Sequence, residues 1–543
     1  MKRGFRLKSG LKCGLLILLL PILLLSSCNS SSSHGGASKN RLKICLNRDP
    51  VTLDPRKGGD VVSSSMHFLL FDGLTRLNES GKQTLSGASH VDISMDRKTY
   101  TFYLKDAKWS NGNPITAHDY EYSWKKTLHP SFPAPNAHLL YPIKNALKCK
   151  KGYVTEDKVG VQAVSDHVLK VELEKPTPYF LDLVAFCVFF PVSKDIDIKH
   201  PDWCYGNQNQ FVSNGPFILE EWKHHNSIAL KKTKQYWDAQ NTKLDGIDLS
   251  MVQSETTALG LFEKGELDII STSVSSLPTE AIENLKRKGI LHINQTAGSK
   301  YCCFNNSKKP FSNKHIRKAF ALAINRSKLV DNITLLGEQI ATGAVPPALK
   351  SGRSRHFFKD GDHARAVDEL ELGLNELGLK RSDLDDLVYS YSSSESDRRI
   401  AQALQQQWAT VLGVHIKLQS MDHKVLLDRL KKRNYDLADA MWMAQYFDQI
   451  SILERFAYPD NPKNYASWQN SHYLQLLHRS FGESTAEKRL CALEEAEEIF
   501  ISDMPVAPLY HINYAYLINP RVESVIFNPM GFLIYEKTSL KND

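Results

Sequence analysis

From Leu15 to Leu25 the chain is apolar at every position except Pro21, about half of the roughly 20 residues that span a bilayer. Ahead of this run stand Lys2, Arg3, Arg6, Lys8 and Lys12, with no acidic residue among them. A basic segment followed by a short apolar one is the pattern of an export signal. Whatever follows has to fold outside the cytoplasm, which constrains this chain more than any other feature of its sequence.

The run ends in Leu25-Ser26-Ser27-Cys28, which resembles the lipobox of bacterial lipoproteins. There the small residues admit a signal peptidase, and the cysteine thiol receives diacylglycerol. On this reading residues 1–27 are removed, Cys28 becomes a lipid-modified first residue and 28–40 form a Ser/Gly-rich flexible tether. The alternative is an uncleaved signal anchor with an incidental cysteine. No later stretch is long and apolar enough to span a membrane, so the rest is expected to be a soluble body on an anchor. Its composition, 42% hydrophobic, 24% charged and 10% aromatic over 543 residues, is globular, enough for two or three domains. It excludes a disordered, collagen-like or polytopic membrane protein. The net charge of +8 falls to about +3 once the five leader cations are removed, which gives no support for nucleic-acid binding.

Catalytic motifs are missing. There is no HExxH, GxSxG, SxxK, GxxxxGK[ST] or GxGxxG, although a triad assembled from distant residues would leave no such trace. No enzyme activity, cofactor or metal is expected. His224-His225 reads as surface, because neighbouring side chains on a strand or loop point apart. Beyond Cys13 and Cys28, seven scattered cysteines show no CxxC pair and define no disulfide framework. Cys302-Cys303 reads as a strand with one inward thiol.

Hydrophobic periodicity organises the middle of the chain. Leu387–Tyr391 reads as a strand, followed by a helix capped at Asp397 with Ile400, Leu404, Trp408 and Val411 on one face and Gly413 stopping it. Alternation through Val414, Ile416 and Leu418 gives a second strand, His423–Arg433 an amphipathic helix and Tyr435–Trp442 a third strand. This is a βαβαβ unit. In open parallel sheets ligands sit beyond the carboxyl ends of the strands, which points to Trp442–Asp448. Earlier, Tyr100–Lys105 alternates as a strand, Asn111-Gly112 signals a turn, and Thr116 to Asp119 is a capping box for a helix with Tyr120, Trp124 and Leu128 on its core face.

These residues carry a resemblance. Thr52-Leu53-Asp54-Pro55, Phe71-Asp72-Gly73-Leu74, Tyr100 to Asp119, Ser213-Asn214-Gly215-Pro216-Phe217, Gln235-Tyr236-Trp237, Gly265-Glu266-Leu267-Asp268 and Phe304-Asn305 ahead of Arg317-Lys318-Ala319-Phe320 occur in an order similar to that of the bacterial extracellular solute-binding proteins of the oligopeptide and dipeptide class, receptors of ABC importers. The resemblance implies an α/β, two-lobed periplasmic-binding-protein fold of type II, in the large cluster with an extra domain, closing about a hinge. Lobe I would comprise residues 41–70, 195–297 and 513–543, the extra domain 71–194, and lobe II 298–512. It also implies a short peptide held as an extended strand in the cleft, delivery to an ABC permease and ATPase complex in the inner membrane, a monomer, and a place on the periplasmic face of the cell envelope. Which membrane holds the anchor stays open, because Asn29 follows Cys28.

Ligand-binding positions are implied at Trp442, Met443, Ala444, Gln445, Tyr446, Asp439, Asp448, Val61 and Tyr510, with Trp442 and Tyr446 as core residues the alternative. Family members with an oligopeptide ligand carry Asp where this chain has Gln445, pairing the free α-ammonium, and Arg where it has Asp439. The expectation is a changed preference, for peptides with a modified amino end or with an extra amine, such as a cell-wall tripeptide containing diaminopimelate. A general peptide receptor in which Asp448 compensates is the alternative. Other solutes of the same fold are nickel chelates, haem and oligosaccharides, and an envelope hydrolase is the competing class.

Overall fold

The cores of this chain are apolar, and a few buried polar residues from the sequence motifs tie distant segments together around them. The computed structural model describes residues 40–78, 82–206, 209–350, 355–483 and 485–541. The export signal, most of the tether and the lipidation candidate Cys28 lie outside the described residues, and no described helix is long and apolar enough to cross a membrane.

In chain order, the elements that position the site begin with β1 (Arg41–Leu46), α1 (Val61–Leu70), β2 (Ala88–Ile93), β3 (Thr99–Leu104), α2 (Ala117–Leu128), β4 (Val161–Ser165) and β5 (Val168–Glu172). They continue with β6 (Phe217–Lys223), β7 (Ser227–Lys232), β8 (Gly246–Met251), β9 (Ile269–Ser271), β10 (Leu291–Phe304) and β11 (Gln339–Ile340). The last are β12 (Val388–Ser392), α3 (Glu395–Leu412), β13 (Lys417–Met421), α4 (His423–Lys432), β14 (Leu437–Met443) and β15 (Val506–Ile518). One 11-stranded sheet runs β13-β12-β14-β10-β15-β9-β1-β8-β7-β6, with β11 beside β15; a separate four-stranded sheet runs β2-β3-β5-β4.

β12 pairs in parallel with both β13 and β14, as the βαβαβ reading requires. Gly413 ends α3 in the left-handed region at φ 64°. Details differ. The cap of α3 is Ser394, whose side chain accepts from the Asp397 backbone N–H, because its short hydroxyl reaches a first-turn donor better than a residue already inside the helix. Val414 and Ile416 are buried, but the paired strand starts only at Lys417. Cys302 and Cys303 are both fully buried, since both faces of β10 are covered. All seven described cysteines are free.

Several motifs converge on single carboxylates. Asp72 accepts from Ser86 Oγ (2.5 Å), Tyr236 OH (2.9 Å) and Trp237 Nε1 (3.0 Å), while Asn214 exchanges two hydrogen bonds with the Asp72 backbone. The adjacent Gly215 is held so close to Leu70 that a Cβ would sit 2.5 Å from its carbonyl carbon. Asp268 receives both Arg521 nitrogens at 2.6 and 2.7 Å, together with the Lys43 backbone N–H, joining the C-terminal region to β1. The Asp119 carboxylate accepts from the Thr116 N–H at 2.9 Å, and Tyr120, Trp124 and Leu128 are buried along α2.

A third hub anchors the loop ahead of α1. The fully buried Arg56 guanidinium bonds Asp54 at 2.9 Å and Asp197 at 2.6 Å, and Asp197 also accepts from Tyr122 OH and Trp203 Nε1. Burial alone would raise the Asp197 carboxyl, yet the bonds and charge of Arg56 bring it down to about 2. A depressed carboxyl stabilises the fold above its ordinary value of 3.8 and loses that contribution as pH falls through about 2. Arg56→Met leaves the Asp197 carboxylate without a cation and Asp54 with only the more distant Lys57 at 3.5 Å, and is expected to destabilise the protein by about 3 kcal/mol at neutral pH, measured by urea denaturation.

Candidate functional site

The strands β12, β13 and β14 end side by side at Ser392, Met421 and Met443. β14 pairs along its length with β10, from Phe304↔Leu437 to Gly298↔Met443, but its pairing with β12 stops at Ser390↔Ala438. From Asp439 to Met443 one edge of β14 therefore has no strand partner among the described residues. An edge of this kind presents backbone N–H and C=O groups in the repeat that an extended chain can extend.

Lys300, on β10 opposite Tyr510, is buried between two carboxylates, Asp397 at 2.7 Å and Asp439 at 2.8 Å. The Asp439 carboxyl is raised to about 6 by burial, against the pull of Lys300. Asp397 is lowered despite its burial, chiefly by Lys300. Tyr510 is buried and its hydroxyl held above the ordinary tyrosine range by burial. The charge of Asp439 is thus already engaged by the protein.

The segment after β14 turns inward. The Ala444 N–H donates to Ala297 O (2.8 Å), the Gln445 N–H to Ser451 Oγ (3.0 Å) and Trp442 Nε1 to Ser451 O (3.0 Å). Trp442 and Met443 are half-buried. Tyr446 is fully buried, stacked on Tyr179 with centroids 4.8 Å apart, and donates to Glu454 at 2.5 Å; its ring takes the core position that the sequence left as the alternative. Asp448 receives both terminal nitrogens of Arg489 at 2.8 Å. Val61 is the first residue of α1, capped by Asp60, a position whose N–H the helix itself does not use.

Gln445 makes the contact that links the two long-range parts of this region. Its Nε2 donates to Asn136 Oδ1 at 2.9 Å and its Oε1 accepts from His138 Nε2 at 3.2 Å, while Asn136 Nδ2 donates to Gly58 O. The half-buried His138 is held down to about 4 by the desolvation of its ring and by Lys463, so it is neutral at pH 7. A neutral imidazole and a carboxamide oxygen fit the two ends of a glutamine. An aspartate here would face the Asn136 oxygen with an acceptor of its own and would favour the protonated form of the histidine.

A cavity of about 420 Å³ opens beside β11 and β15, lined by Gln339, Thr342, Lys350, His356 and His511 among others, within the size range of small-molecule sites. His224 and His225 lie in the turn between β6 and β7, where His225 meets Asp49 at 3.2 Å, and no described group of three His, Cys, Asp or Glu residues is placed to hold a metal. Asn136, His138 and Lys300 were not among the residues singled out from sequence, and Asp397 was singled out only as a helix cap. Asn136 and His138 lie in a short turn without periodicity, and Lys300 gains its partners only through strand pairing.

The family model for bacterial extracellular solute-binding proteins, family 5 Middle, matches residues 85–464. The chain belongs to that family. It is 38% identical over 537 residues to the oligopeptide-binding protein OppA of Bacillus subtilis, covering 97% of this chain and 98% of that one. Among solved structures it resembles Haemophilus influenzae OppA in complex with RPPGFSPFR (TM-score 0.84, 26% identity, 93% of this chain and 100% of that chain). It also resembles the Escherichia coli murein tripeptide binding protein MppA (TM-score 0.84, 27% identity, 93% and 99%). This family 5 protein accordingly has the two-lobed, mixed α/β periplasmic-binding fold.

Two outcomes are expected. Lys300→Met leaves Asp397 and Asp439 buried without a cation and should cost about 3–5 kcal/mol at pH 8. In the wild type a raised carboxyl favours the folded state while protonated, so the contribution of Asp439 declines as pH rises from 3.8 to about 6; in Lys300→Met, which lacks the cation that opposes this rise, protonation of Asp439 below about 6 should recover much of the loss, as urea titrations at pH 8 and pH 5 would report. Gln445→Asp should move the His138 titration midpoint from about 4 to above ~6, since a facing carboxylate stabilises imidazolium. An unchanged midpoint by NMR would contradict the contact.

Proposed function

We propose that this protein is a lipid-anchored substrate-binding receptor of a peptide ABC importer, anchored through Cys28 at the periplasmic face of the cell envelope. It captures a short peptide and delivers it to the permease and ATPase. The observation that carries this reading is the partnerless edge of β14 from Asp439 to Met443: an extended peptide adds there through main-chain hydrogen bonds that are the same for every sequence. Lobe I (41–70, 195–297, 513–543), the extra domain (71–194) and lobe II (298–512) close on the ligand about the long strands β10 and β15, and the receptor works as a monomer without catalysis.

Trp442, Met443 and Ala444 flank the peptide, with Gln445 and Tyr446 contributing backbone. Val61 offers its N–H from across the cleft, and Tyr510 closes the floor beside Lys300. Side chains enter water-filled space such as the cavity beside β11, where waters adapt to different groups. The relatives named for oligopeptides and a murein tripeptide support the ligand class. Because Gln445 is satisfied by Asn136 and His138, and Asp448 by Arg489, neither supplies a free anion for an α-ammonium. The favoured ligand within that class therefore has a modified amino end.

The test is a thermal-shift series with a random tripeptide pool, a murein tripeptide, nickel, haem and an oligosaccharide. A peptide at a hundred times its Kd stabilises by about 2.7 kcal/mol and should raise Tm clearly. A rise with metal, haem or glycan and none with peptides would overturn the reading.

A further inference from the structure

Arg455 is 2% exposed. Its Nε donates to Lys463 O at 2.5 Å, but Nη1 and Nη2 are buried with no hydrogen-bond partner. Aromatic rings surround the guanidinium: Trp442 with its centroid at 4.0 Å, Tyr465 at 4.8 Å and Tyr301 at 5.6 Å. The ammonium of Lys463 lies 5.3 Å from the same Trp442 ring. No carboxylate stands within salt-bridge distance of either cation among the described residues.

Burial and then the charge of Arg455, with Lys431 behind it, push the Lys463 ammonium down to about 8. The same two cations add to the burial that holds His138 down, which places their field on the Gln445 contact. A buried cation without a counter-ion is costly. Ring faces offset part of that cost, yet they leave the N–H groups of both terminal nitrogens unused. The other buried arginines of this fold show the contrast: Arg56 meets two carboxylates, Arg326 meets Asp360 and three backbone carbonyls, and Arg317 spends its nitrogens on backbone carbonyls.

We propose that Arg455 and Lys463 form an anion-recognition site against Trp442, taking a carboxylate at the end of the ligand that lies beside Gln445. This rests on the peptide-receptor reading and sharpens it. The free fork of Nη1 and Nη2 suits a carboxylate held by two parallel bonds, and Lys463 adds a second charge from the more exposed side. Beside a neutral Gln445–His138–Asn136 contact, the local field favours an anion over an ammonium. The ligand class is a peptide whose amino end is blocked by a group carrying a carboxylate.

The experiment is calorimetric titration of the full protein with tri-alanine bearing a free, an acetylated or a succinylated amino end. The succinyl form should bind about tenfold or more tighter than the acetyl form, as one charge-assisted contact implies. Arg455→Gln should reduce that ratio to less than about threefold. This substitution removes an unpaired buried charge, so the variant is expected to fold; Lys463→Met, at a partly exposed position, is the second variant and should reduce the ratio in the same direction. Equal binding of succinyl and acetyl forms, or a ratio unchanged in both variants, overturns the inference while leaving a peptide receptor standing. If none of the three peptides binds, the peptide reading fails, and melting curves with sodium succinate against sodium chloride at equal ionic strength decide the site separately. A succinate-specific rise lost in Arg455→Gln supports it, and no rise overturns it.

Discussion

The architecture depends on one pairing, that of β10 with β15, antiparallel from Leu291↔Leu517 to Cys303↔Val506. Toward one end β15 accepts β9 and with it the strands around β1; toward the other, β10 accepts β14 and the parallel unit. The register breaks between Gln295 and Ser299 and again between Lys300 and Tyr301. Such irregularities bend a ladder locally and increase its twist, and here they fall beside Gly298, Lys300 and Met443. The site is therefore built where the shared strands change partners, and side chains on β10 reach it through strand pairing alone.

Electrostatically the site is built from neighbours that have already answered one another. Asp439 and Asp397 meet Lys300, Asp448 meets Arg489, and Gln445 meets a neutral histidine and an asparagine. In a low-dielectric setting such satisfied groups are fixed dipoles and pairs rather than free charges, so the composition of the cleft in acids and bases does not indicate what it attracts. The cations left over, Arg455 and Lys463, set the remaining field, and they lie on the short 3-10 helix Glu454–Phe456 and the loop after it rather than on any strand.

Much of this was legible in the sequence. Hydrophobic periodicity located β12, α3, α4 and β14, and the rule that ligands gather beyond the carboxyl ends of parallel strands pointed to residues 442–448. The ordered motifs were readable as well, and the structure gives their physical cause: Asp72 needs Asn214, Tyr236 and Trp237, and Asp268 needs Arg521, each partner more than a hundred residues away. What periodicity could not supply was partner choice. Nothing local to Gln445 signals Asn136 and His138, three hundred residues earlier, and nothing in the order of residues around Asp448 signals that Arg489 takes both its oxygens. The α3 cap fell on Ser394 rather than Asp397, which lies inside the first turn and bonds Lys300 instead, a contact invisible along the chain.

Capture of an extended peptide along β14 is most directly tested by native mass spectrometry of the protein purified without refolding, followed by fragmentation of whatever mass is released. The account predicts one or a few short peptides, whose fragments step down by residue masses. Release of a tetrapyrrole, a metal chelate or a glycan, with no peptide among the released species, would contradict it.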